Sequence, residues 1–131
     1  MNSVRVKEAG RRAGEFVESV RDPAGGYRIE RWPALEGSRA GSFDLTRAVA
    51  RLRTYQRKKF GFLDPVDDAL FLTAGLRSMG APASFNLGRE LVPVRAPASF
   101  FAWVSCDEDV VSTSVPVREE YVVVFQSKGG E

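Results

Sequence analysis

Residues 64 to 82, DPVDDALFLTAGLRSMGAP, set the strongest limit on what this chain can fold into. Asp64 can accept the unpaired amides that open a helix, Pro65 suits the first helical position, and Asp67 falls in the first turn beside the positive end of the dipole. Gly80 suits the left-handed conformation that closes a helix, and Pro82 prevents continuation. Between these signals Val66, Ala69, Leu70, Thr73, Leu76 and Met79 recur at helical steps toward a core. Few charges interrupt residues 69 to 76, so the spacing predicts a helix buried on most sides.

Two further helices are expected upstream. In VKEAGRRAGEFVESV the positions Ala9, Ala13, Phe16, Val17 and Val20 share a face, with Gly10 and Gly14 weakening the helix. From Leu45, the positions Ala48, Val49, Leu52 and Tyr55 form a second stripe flanked by Arg47, Arg51, Arg57 and Lys58, with Ser42 or Asp44 available as cap. YRIERW alternates as a short half-buried strand or extended arm that Pro33 ends. Downstream, ASFNLG, ASFFAWVSC and EYVVVFQ are rich in strand formers, and a turn at DED, 107 to 109, lets Val110 and Val111 begin a return strand. The apolar run of EYVVVFQ suits a central strand or one covered in a dimer, because an exposed edge of that kind invites aggregation. The expected class is α+β: two or three helices packed on a three- to four-stranded antiparallel sheet.

At 131 residues with 44% apolar content, the chain has material for one modest core, so residues 1–131 are expected to form a single domain. The formal net charge is +2, unevenly spread: residues 44 to 60 hold six Lys/Arg against one Asp, while 105 to 131 lean acidic. No histidine is present and Cys106 is the lone cysteine, which excludes a disulfide framework and a Cys/His zinc site. No loop has calcium or magnesium ligand spacing, so neither metal nor cofactor is expected. The polar start and the lack of a long apolar run point to a cytoplasmic chain with no membrane contact.

The helix PVDDALFLTAGLRSMGAPASFNLG, followed by FFAWVSCDEDVVSTSVPVREEYVVVFQ, resembles the transglutaminase-like B proteins, the B2 leader-peptidase domains, of lasso-peptide biosynthesis. The likeness spans residues 45 to 126 and rests on the helix pattern, Gly-x-Pro-Ala, the Ala-Trp-Val strand and the terminal strand in that order. Residues 1–40 have no counterpart in it and form a divergent N-terminal segment. Members of that family open the buried helix on a nucleophilic cysteine, carry His-Ala-Trp-Val on a strand, and place an acidic residue further on. The resemblance thus implies a transglutaminase-like, papain-type frame that cuts a leader from a ribosomal precursor peptide.

Carried onto this chain, the triad positions fall on Pro65, Phe101 and, within STS, Thr113. Asp68 stands where the family has arginine. A thiol protease needs a thiolate, a base to activate it and a group to hold that base, and none of these three residues can serve. Cys106 has no imidazole to activate it and reads as a strand residue. The resemblance further implies a cleft at which Pro65 and Phe101 meet, apolar where relatives are polar. Pro65, Asp68, Arg89, Phe101 and Trp103 are its candidate substrate-binding residues, Arg89 through a substrate carboxylate and Trp103 as a wall shared with Phe101.

Asp67 and Asp68 have two readings: first-turn dipole compensation, or a carboxylate acting as acid or base at the cleft rim. Arg51, Arg57 and Lys58 belong to the basic run RLRTYQRKK, which suits a solvated face or the docking of an acidic partner or pathway enzyme. No nucleic-acid motif accompanies it. Three functions follow. The first is a non-proteolytic homologue in natural-product biosynthesis that binds a peptide or hydrophobic intermediate. The second is a repurposed enzyme that cyclises or isomerises such an intermediate. The third is a small interaction or RNA-binding module working through the basic helix.

Overall fold

The helix announced by Asp-Pro and closed by Gly-x-Pro is present and organises everything around it. In the computed structural model, which describes residues 3–36, 44–92 and 98–127, it spans Pro65–Ser78. The Asp64 carboxylate accepts the Asp67 amide at 2.9 Å, and Pro65 occupies the first turn. At the other end Gly80 adopts φ 90°, which lets the amides of Gly80 and Ala81 reach the carbonyls of Arg77 and Leu76.

Numbered in chain order, the elements are α1 (Ser3–Val20), α2 (Leu45–Phe60), α3 (Pro65–Ser78), β1 (Ala83–Glu90), β2 (Phe100–Cys106), β3 (Asp109–Val110), α4 (Val117–Glu120) and β4 (Tyr121–Gln126). Asp44 caps α2 by accepting the Arg47 amide. The other proposed cap, Ser42, lies outside the described residues.

The strands form one antiparallel sheet in the order β3-β2-β1-β4. Helix α3 lies directly on β1 and β2, and α1 and α2 cover its outer side. Being enclosed between a sheet and two helices, α3 is buried along Ala69–Arg77, which is why its sequence is apolar nearly all round. Strand alternation turns Ala83, Phe85, Ala102, Val104 and Cys106 toward this core.

Gly10 and Gly14 are the contact notches of α1. A Cβ at Gly10 would stand 2.4 Å from the Tyr55 ring, and one at Gly14 would stand 2.5 Å from the tip of Phe60. The glycines that weaken α1 as an isolated helix thus let α2 lay two aromatic rings against its backbone.

Arg77 is the largest fully buried side chain, donating to the carbonyls of Pro33 (2.6 Å) and Ala83 (3.2 Å). Together with a bond from the Glu36 amide to the Arg77 carbonyl, it ties the 33–36 segment to α3 and β1.

Several expectations are corrected. Of its two readings YRIERW takes the arm and not the strand: only an isolated bridge joins Arg21 to Tyr27, and the chain then runs on irregularly. The turn after β2 is Asp107–Glu108, both at positive φ, so the return strand is only Asp109–Val110. The segment joining this strand to β4 winds into α4, an element the sequence reading did not include.

β4 is an edge strand, not a central one, and Val122, Val123, Val124 and Phe125 are each about half exposed. Its apolar run reflects one face packed under Trp32 and Phe85 plus a bulge opposite Leu87 and Gly88, rather than neighbours on both sides.

Candidate functional site

A cavity of about 270 Å³ opens where the first turn of α3, the end of α2 and the start of β2 converge. Pro65, Phe101 and Thr113 all line it, although 36 residues separate the first two in sequence. Each arrives by a separate local cause. Pro65 is placed by the capped start of α3, and Phe101 by the antiparallel register that sets it opposite Gly88.

Thr113 is placed by two bonds that hold its segment beside β2. The Val111 amide donates to the Val104 carbonyl and the Val104 amide donates to the Ser112 hydroxyl, both at 2.9 Å.

The lining is not the dry, apolar surface expected. Phe62, Leu63, Pro65, Phe101 and Ala102 share it with Arg53, Gln56, Arg57, Asp68, Ser112 and Thr113. Asp68 accepts from Arg53 Nη2 at 2.7 Å and from the buried Gln56 amide at 3.1 Å. Arg53 also donates to the Ser112 carbonyl at 2.6 Å. A polar triad of Arg53, Asp68 and Ser112 thus binds α2, α3 and the 112–113 segment together along one side of the cavity. Its half-buried charges are paired, which limits the cost of desolvating them.

Asp67, the companion candidate, points the other way. It is buried and accepts from Arg21 Nη2 at 2.8 Å and from the Tyr27 hydroxyl, so it fastens the turn after α1 to the start of α3. Burial, together with the bond to Asp67, pushes the Tyr27 phenol well above its ordinary range. Asp67 does not line the cavity.

Two more candidates lie elsewhere. Trp103 is buried on the sheet face away from the helices, near Phe101 (centroids 6.5 Å apart) and Tyr121. There it edges a second, larger concavity of about 810 Å³ with Ser84, Asn86, Ser105 and Gln126. Alternation puts Phe101 and Trp103 on one sheet face as expected, but only Phe101, nearer the strand end, reaches the smaller cavity. Arg89 is exposed, opposite Phe100 on β2 and Val122 on β4.

The basic run does not form one surface. Arg51 and Lys58, seven residues apart, fall on one side of α2, whereas Arg53 and Arg57 face the cavity. Sequence reasoning missed Arg53, Gln56 and Phe62. The spacing of Arg53, Gln56 and Arg57 at three- and four-residue steps carried a signal, but nothing local said which face of α2 would meet α3.

Among the described residues no group of three His, Cys, Asp or Glu is placed to hold a metal, and no helix is long and apolar enough to cross a membrane. The fold and site define an α+β chain with helices packed on a four-stranded antiparallel sheet and a half-polar cavity at the start of its buried helix. Set against protein-family models, characterised proteins and solved structures, this chain has no match.

Proposed function

We propose that this chain is a non-proteolytic transglutaminase-like homologue from natural-product biosynthesis, which binds a peptide or a hydrophobic intermediate at the cavity beside α3. One observation carries the reading. The three positions onto which the resemblance to lasso-peptide B proteins maps a catalytic triad surround one cavity, and they are Pro65, Phe101 and Thr113. A proline ring, a phenyl ring and a hydroxyl without a base neither form a thiolate nor activate one.

In this reading the frame is transglutaminase-like, with a buried helix whose first turn abuts a strand of an antiparallel sheet. The cleft keeps its shape for recognition while its cutting chemistry is gone. Asp68, the carboxylate on the cavity, is occupied by Arg53 and Gln56, which fits a role in holding the wall better than one in moving protons. The cyclase alternative therefore gains no support from the geometry.

The test is calorimetric titration with short hydrophobic peptides, alongside mass spectrometry of the same mixtures. Binding at micromolar to millimolar strength, weakened at least tenfold by Phe101→Asp, with every peptide recovered intact, is the expected result. Cleavage by the homogeneous protein, or binding indifferent to Phe101→Asp, would remove the proposal.

A further inference from the structure

At the mouth of the same cavity stands Phe62, 85% exposed, with the Arg57 guanidinium carbon 5.0 Å from its ring centroid. A phenyl ring left in water at a cavity rim offers apolar surface that an occupant of the cavity would cover. Arg57 pairs with no carboxylate among the described residues, whereas its neighbour Arg53 is held by the Asp68 carboxylate and the Ser112 carbonyl. The lining therefore has two guanidinium groups against one carboxylate, and the surplus positive charge sits at the rim beside apolar walls of Leu63, Pro65 and Phe101. Asp68 does not cancel this surplus, because Arg53 already neutralises it.

The volume narrows the choice. About 270 Å³ lies just under the range of ordinary small-molecule sites, room for one aromatic or large aliphatic group but not for a length of peptide.

We propose that the cavity receives a single apolar group bearing a carboxylate, its anion on Arg57 and its body between Phe62 and Phe101. This inference rests on the cleft reading above and specifies the chemistry of the ligand. A charge-assisted bond to a guanidinium is directional and often bidentate, so a free acid is distinguished sharply from its amide. Covering Phe62 also removes water from the contact between its ring and Arg57, which strengthens that contact. Two sources share this chemistry: the C-terminal residue of a hydrophobic peptide, and a free aryl or alkyl carboxylic acid.

Titration calorimetry at low salt with Ala-Ala-Ala-Phe, its C-terminal amide and 3-phenylpropionate tests the proposal on the full chain, Arg57→Gln and Phe62→Ala. Both substituted side chains are exposed, and circular dichroism checks that the folds match. The free acid is expected to bind about tenfold or more tighter than the amide, and Arg57→Gln to erase that difference. Phe62→Ala should weaken acid and amide alike.

Binding of 3-phenylpropionate as tight as the peptide acid assigns the site to small acids; a much tighter peptide assigns it to peptide termini. Equal binding of acid and amide, an acid preference that survives Arg57→Gln, or no binding of either acid overturns the inference. In the first two cases, binding that remains sensitive to Phe101→Asp leaves the cleft reading standing.

Discussion

Replacing Gly10 by alanine separates the two roles that this residue plays in α1. In an exposed helix interior the change would stabilise by about 1 kcal/mol, because glycine loses more backbone freedom on folding. Here the new methyl would stand 2.4, 2.7 and 2.8 Å from Cδ1, Cε1 and Cγ of Tyr55. Cγ is the stem of the ring, so Tyr55 cannot clear the methyl by swinging its far end, and α2 must shift. Overpacking of this kind costs about 1–3 kcal/mol. The expected net is a loss of about 1 kcal/mol, or roughly 4 °C in midpoint for a chain of this size.

Gly14→Ala is the internal control. Its closest neighbour is Cζ, the far end of Phe60, a side chain 47% exposed that can give way at some cost to its edge contacts with Tyr55 and Phe71, so the propensity gain offsets that cost and the variant is about neutral. Urea unfolding followed by far-ultraviolet circular dichroism, with unchanged m values, measures both. Combining Gly10→Ala with Tyr55→Leu should remove most of the Gly10→Ala penalty in a double-mutant cycle. A Gly10→Ala protein as stable as the parent, or less damaged than Gly14→Ala, would refute the reasoning.

Asp68→Ala strands Arg53 between α2 and the 112–113 segment and should destabilise by about 2 kcal/mol, with faster amide exchange around Ser112 as its local signature. Gly88→Ala would put a methyl 2.6 Å from the Trp103 ring and 2.8 Å from the Tyr121 Cβ, on a strand gripped from both sides. A loss of about 2 kcal/mol or more in chemical unfolding is expected. Tyr27 titrates higher when folded than the roughly 10 of an unfolded chain. Its contribution is therefore complete below pH ~10 and declines as pH rises beyond that, so the urea midpoint should fall more steeply above pH 10 in the parent than in Tyr27→Phe. Antiparallel pairing of β4 edges from two copies, the second placement that its sequence suits, predicts a light-scattering mass near twice 14.4 kDa, which Val123→Lys halves.

What was legible in the sequence was mostly local. The Asp64-Pro65 opening and the Gly80-x-Pro82 close fixed α3 because caps act within a few residues, and alternation set Phe101 and Trp103 on one face of β2 and Ala102 and Val104 on the other, but it did not reveal that the second pair meets the helices. The meeting of Pro65 with Phe101 could be anticipated from a family pattern but not from either segment alone. Three features stayed hidden because their cause lies across long loops. β4 reads as a central strand until its pairing partners are known. Gly10 and Gly14 read as flaws in a helix until Tyr55 and Phe60 arrive from α2. Arg53 belongs to a basic run that reads as a solvated face until two helix faces are set against each other, at which point it joins Asp68 in the wall of the cavity.

The two tryptophans fall on opposite sides of the same sheet. Trp32 is half-buried among Phe16, Phe85 and Phe125 where the irregular arm crosses the helical layer; Trp103 is enclosed beside Phe101 and Tyr121 on the other face. Each indole therefore senses a different layer. With Trp32→Phe and Trp103→Phe as single-emitter proteins, intrinsic fluorescence can time the docking of the arm separately from closure of the far face, with no added dye.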